Sequence, residues 1–139
     1  MNQKGPPHFH ASSAGSHPSG LVRPEALRQL QAAHVPTTGL RSKSWERFSW
    51  KGAPQIDLVI TLCDNAANEV CPTWPGHPTT AHWGVPDPAA VHGADEQKEK
   101  AFRDVFELLD RRISAFLRLP FTVLRGAALQ AELDKIGQL

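Results

Sequence analysis

Two cysteines, Cys63 and Cys71, stand eight positions apart near the middle of the chain, and His77, His82 and Asp87 follow them closely. Such a set admits three kinds of chemistry. Two thiols separated by a loop of small and polar residues can close into a disulfide and be presented to a reductant. They can equally be unrelated, one of them packed in a core, since Cys is among the most buried residue types. Cys and His together can hold zinc, but gaps of seven, five and four residues between Cys63, Cys71, His77 and His82 match no short ligand spacing of a structural site. Asp87 lies between Pro86 and Pro88. That setting suits a general acid, which needs a carboxyl held in place near a leaving group, and it suits an ordinary turn Asp as well.

What the chain lacks narrows the field. It has no Gly-rich phosphate loop, no dinucleotide fingerprint and no nucleophile elbow. With 15 Lys+Arg against 14 Asp+Glu and no long run of one sign, it carries no electrostatic footprint for nucleic acid or a membrane surface. No apolar stretch approaches the length of a bilayer span, and no basic start leads into an apolar run. A cytoplasmic protein is the expectation, and there two Cys are not a disulfide framework. His8, His10 and His17 fit a polar surface, and Trp45, Trp50, Trp74 and Trp83 fit packing, because no basic patch accompanies them.

The elements that must position these residues are α/β. A near-continuous apolar run, Ile56 to Leu62, reads as a parallel strand covered on both faces, with Cys63 directly beyond it. In open α/β sheets ligands bind past the carboxyl ends of strands, so Cys63 stands where a reactive group belongs. Thr79–Trp83 reads as a second strand and Phe9–Ser13 as a short third. Pro24 opens a helix running to about His34, and Pro36 ends it. Ser44 caps a short helical turn with Trp45 and Phe48 on its apolar side. A long amphipathic helix runs from Asp95 to Leu119: Phe102, Val105, Phe106, Leu109, Ile113, Phe116 and Leu117 line one face, and Glu, Lys and Arg fill the other. Arg111, Arg112 and Arg118 lie towards its end, where they suit the helix dipole. Ala127–Ile136 forms a last helix. Three strands are few for a sheet that must cover so apolar a helix.

As a set, several segments resemble the arsenate reductases built on the low-molecular-weight tyrosine phosphatase fold. They are Ser13–Pro18, Leu40–Trp45, Val59–Ala67, Glu69–Pro72, Ala81–Gly84 and Pro86–Ala90, with Lys100–Asp104 and Arg111–Ser114 similar to that family's last long helix. The resemblance covers residues 8–120, between an irregular segment at 1–7 and a helical extension at 121–139. It implies a parallel sheet flanked by helices in three layers.

It also implies a redox relay. In the family a nucleophilic Cys forms an arseno-thiol with arsenate. Cys63 matches the thiol that attacks the nucleophile's sulfur and releases arsenite. Cys71 matches the one that takes over the disulfide, leaving a Cys63–Cys71 bond for thioredoxin or a similar thiol donor. Asp87 matches the general acid that protonates a leaving oxygen. No bound cofactor and no metal are implied. The family's nucleophile heads a Cys-x5-Arg loop after its first strand, whereas here Glu69 stands six residues after Cys63 and His77 six after Cys71. The expectation is therefore a domain lacking its first strand, that loop and its first helix, with Met1 an internal residue of a longer frame. The alternatives are an inactive phosphatase-like or partner-binding protein and, from another class, a Cys/His metal-binding protein.

Overall fold

The computed structural model describes residues 1–63 and 74–139. In chain order the described elements are α1 (Pro24–Ala32), a 3-10 turn (Trp45–Phe48), β1 (Leu58–Thr61) and β2 (Thr79–His82). A second 3-10 turn (Pro88–Ala90), α2 (Asp95–Leu117) and α3 (Gly126–Ile136) follow. Among these residues no helix is long and apolar enough to cross a membrane.

Local chemistry sets most of the boundaries. Pro24 starts α1, where a missing N–H costs nothing, and Glu25 complements the positive end of the helix. The helix stops two residues before the expected His34, which takes a left-handed φ of 58°. Ser44 caps the first 3-10 turn, its Oγ accepting from the Glu46 amide at 3.2 Å. At the head of α2 the Gln97 side chain accepts from the Ala94 amide at 3.0 Å. Pro120, lacking an N–H, lies just beyond the end of that helix.

β1 and β2 pair in parallel, with Leu58 opposite Thr79 and Thr61 opposite His82. The pairing runs on past both strands: the amides of Trp83 and Val85 donate to the oxygens of Thr61 and Leu62, each at 2.8 Å. β1 is shorter than its apolar run, and its four residues are half-buried where cover on both faces is expected. The third strand does not form. Phe9 turns inward, and the only pairing nearby is an isolated parallel bridge between Gly15 and Ser44. A five-residue segment with little alternation has no strand signal strong enough to outweigh burial of an aromatic ring.

The core lies where α2 and α3 meet the end of β2. Ala81, Trp83, Phe116, Leu133 and Ile136 are buried, and Phe9, Ile60, Ile113, Phe121 and Leu129 pack around them. Phe9 meets Phe116 and Phe121 edge-on with ring centroids 5.3 and 5.2 Å apart. Trp83, only 2% exposed, donates its indole N–H to the Leu133 oxygen at 3.0 Å. Each such side chain contributes roughly 1.5–3 kcal/mol by leaving water. Trp50 departs from the expected packing role: 59% of it is exposed. Arg112 departs further, and it bears on the site.

Candidate functional site

A parallel pair puts both carboxyl ends at one edge, and that edge collects two of the three expected site residues. Cys63 lies two residues past β1 and is exposed. Asp87 lies five residues past β2. Cys71 falls outside the described residues.

The path to Asp87 is pinned at each step. Trp83 and Val85 are held to β1 by the 2.8 Å bonds, and Trp83 is sunk in the core. Pro86 and Pro88 stiffen the flanks of Asp87. Its Oδ1 accepts from the Ala89 amide at 2.9 Å, capping the 3-10 turn. Among the described residues Oδ2 has no partner, so the carboxyl is oriented by one oxygen and open at the other. A general acid uses that arrangement: one atom fixes direction and the second carries the proton.

His82 closes β2 with its Nδ1 2.7 Å from Thr61 Oγ1, a cross-strand bond at the same edge. Among the described residues no three of His, Cys, Asp and Glu gather as a metal site.

The residue that sequence reasoning misplaced is Arg112. Expected on the charged face of α2, it is 4% exposed. Its Nη1 donates to the oxygens of Trp83 at 3.0 Å and Gly84 at 3.2 Å. Nη2 donates to the main-chain oxygens of Gly137 at 3.1 Å and Leu139 at 3.2 Å. Burial lowers the pKa of this guanidinium, and the neighbouring Arg111 charge lowers it further. Arginine begins from so high a value that it stays charged, and its fork spans two strands of backbone that a lysine could not bridge at once. The signal was in the spacing: Val105, Leu109, Arg112 and Phe116 recur every three or four residues, so Arg112 lies on the apolar stripe.

A second close approach braces the same place. A Cβ at Gly137 would lie 3.0 Å from the His82 oxygen and 3.1 Å from Trp83 Cδ1, so glycine lets the end of α3 seat closely against the end of β2. The carboxyl edge thus carries an exposed thiol and an oriented carboxyl.

Comparison with known proteins gives this edge a context. Residues 1–135 match the family described as low molecular weight phosphotyrosine protein phosphatase. The chain is 36% identical over 104 residues to a protein named arsenate reductase from Halalkalibacterium halodurans, covering 75% of this chain and 71% of that one. It is 36% identical over 108 residues to an arsenate reductase of Bacillus licheniformis, covering 78% and 74%. To an arsenate reductase of Bacillus subtilis it is 33% identical over 104 residues, covering 75% and 71%. With its parallel strands, flanking helices and a match along nearly its whole length, this chain belongs to the low molecular weight phosphotyrosine protein phosphatase family.

Proposed function

We propose that the chain is of arsenate reductase type, acting in the reduction of arsenate to arsenite through a thiol relay of Cys63 and Cys71. The observation that carries the reading is the parallel register of Thr61 with His82, which leads Cys63 and Asp87 out at one edge. The names of its relatives supply the substrate.

In the relay, the Cys63 thiolate attacks the sulfur of an arseno-thiol. The S–As bond breaks, its electron pair leaves with arsenic, and arsenite is released as a mixed disulfide forms. Arsenic is reduced by two electrons and two sulfurs are oxidised. Cys71 then attacks Cys63, displaces the first thiol and leaves a Cys63–Cys71 bond, which a thioredoxin-like dithiol reduces by exchange. Asp87 serves the earlier step, giving its proton to the oxygen that leaves arsenate as the arseno-thiol forms. These 139 residues contain no Cys-x5-Arg, the loop that makes the arseno-thiol in the family.

The test is redox mapping of the purified chain. Mild oxidation followed by peptide mass analysis should find Cys63 joined to Cys71, and thioredoxin with its reductase should restore both thiols. Arsenate turnover by the chain alone should be absent. Two unmodified thiols after oxidation would remove the relay and leave a phosphatase-like binding protein. Arsenite release above a Cys63→Ser control would show that the nucleophile loop is dispensable.

A further inference from the structure

Away from the carboxyl-edge residues, a cavity of about 240 Å³ is lined by Ser12, Arg41, Lys43, Arg47, Phe48 and Pro54. We infer that it is a binding site for a dianionic tetrahedral oxyanion, either free phosphate-like anion or the head of a phosphate monoester. The inference does not rest on the arsenate reductase reading.

Local structure brings the cations together. The Gly15 amide donates to the Lys43 oxygen at 3.0 Å and the Trp45 amide to the Gly15 oxygen at 3.0 Å, which ties the segment after Ser12 to the one carrying Arg41 and Lys43. Arg41 and Lys43 lie two apart in the segment that this bridge holds, and both line the hollow. Arg47 follows on the Ser44-capped turn, which orients it without using its side chain. Lys43 and Arg47 are half-buried.

The charges are uncompensated. Among the described residues no carboxylate lines the cavity and none of the three cations makes an ion pair. The nearest thing to a partner is the Arg41 main-chain oxygen, 3.4 Å from Lys43 Nζ. A chain of net charge +1 does not place three cations round one hollow through a general excess of positive charge. Among the described residues four cations elsewhere pair with carboxylates, Arg28 with Glu99, Lys4 with Asp110, Lys100 with Asp104 and Lys135 with Glu132, whereas these three gather at one hollow. Converging like charges repel, and a concave wall strengthens their common field, so a multivalent anion relieves repulsion as it binds. Two guanidinium forks and an ammonium match the oxygens of a tetrahedral anion, with the Ser12 hydroxyl as a further donor. Phe48 and Pro54 supply an apolar wall for the organic arm of a monoester.

The test is titration of the ¹⁵N-labelled full chain with inorganic phosphate and, separately, phenyl phosphate, at constant ionic strength set with chloride. Saturable shifts are expected at the amides of Ser12, Lys43 and Arg47. The double variant Lys43→Gln/Arg47→Gln should bind about tenfold or more weakly, as loss of two charge-assisted bonds requires. Arg47→Lys, which keeps the charge and the fold, should bind between the two. Equal affinity for both probes would identify a free-anion site, and tighter phenyl phosphate a monoester site. Linear, non-saturating shifts, shifts that chloride reproduces, or a double variant that titrates like the parent would each overturn the inference.

Discussion

Arg112 Nη1 donates to the Trp83 oxygen at 3.0 Å, so a buried guanidinium on α2 holds the first residue after β2. Its other bonds reach Gly84, Gly137 and Leu139, and the one cation therefore joins the Asp87 path to the end of α3. Arg112→Leu leaves these main-chain oxygens without their donor, and each charge-assisted bond is worth about 1.5–3 kcal/mol. Since the freed backbone relaxes and regains some water, the expected loss is about 3–5 kcal/mol in urea unfolding. Arg112→Lys should recover part of it, because an ammonium reaches one side of the clasp. A loss below about 1 kcal/mol for the Leu variant would mean that the clasp is not made in solution.

The two roles of Asp87 separate by substitution. Asp87→Ala removes the acceptor of the Ala89 amide and should cost about 0.5–1 kcal/mol, the size of a lost cap. Asp87→Asn keeps that acceptor and should be close to the parent in stability while having no acidic proton. In the proposed relay Asp87 acts before the thiols exchange, so both variants should still form and release the Cys63–Cys71 bond at parental rates under the thioredoxin assay. Slowed exchange in Asp87→Asn would move the residue from proton donor to part of the thiol machinery.

Arg28 on α1 donates from Nε to Glu99 on α2 at 2.6 Å. That bond, with the Glu99 charge, raises the pKa of the guanidinium. A cationic group raised in the folded state stabilises fully below its unfolded pKa, and this contribution is lost only as pH rises through the higher folded value. On the arginine side the pair is therefore insensitive to pH across the neutral range. Salt is the sensitive variable, since the pair is at the surface. Melting curves of the parent and Arg28→Ala should differ slightly at low salt and coincide near 1 M NaCl, where the screening length falls to about 3 Å. A difference that survives high salt would assign the effect to packing of the Arg28 stem.

Much of the local structure around the candidate site is legible from residue types and local order. A thiol after an apolar β-branched run, a carboxyl between two prolines and a Ser-capped turn are short-range features. Each formed where expected at Cys63, Asp87 and Ser44. Long-range choices were not legible in the same way. Phe9 had the composition of a strand, yet its ring joined Phe116 and Phe121, because burial on a neighbour distant in sequence outweighs a weak local preference. Arg112 is expected with Arg111 and Arg118 on the polar face, where they suit the helix dipole, although its spacing from Leu109 and Phe116 puts it on the buried stripe.

The sequence by itself determined the inventory: an α/β chain with two thiols, a rigidly flanked acid and helices set by proline, capping residues and apolar periodicity. These depend on interactions within a few residues, so they are encoded locally. Only the tertiary structure decided that β1 and β2 pair in parallel with Thr61 beside His82, which sends Cys63 and Asp87 to one edge. Only it decided that Arg112 faces inward and that Arg41, Lys43 and Arg47 line one hollow. Register and charge convergence depend on which distant surfaces meet, and the free energy that selects them comes from burial shared across the whole chain.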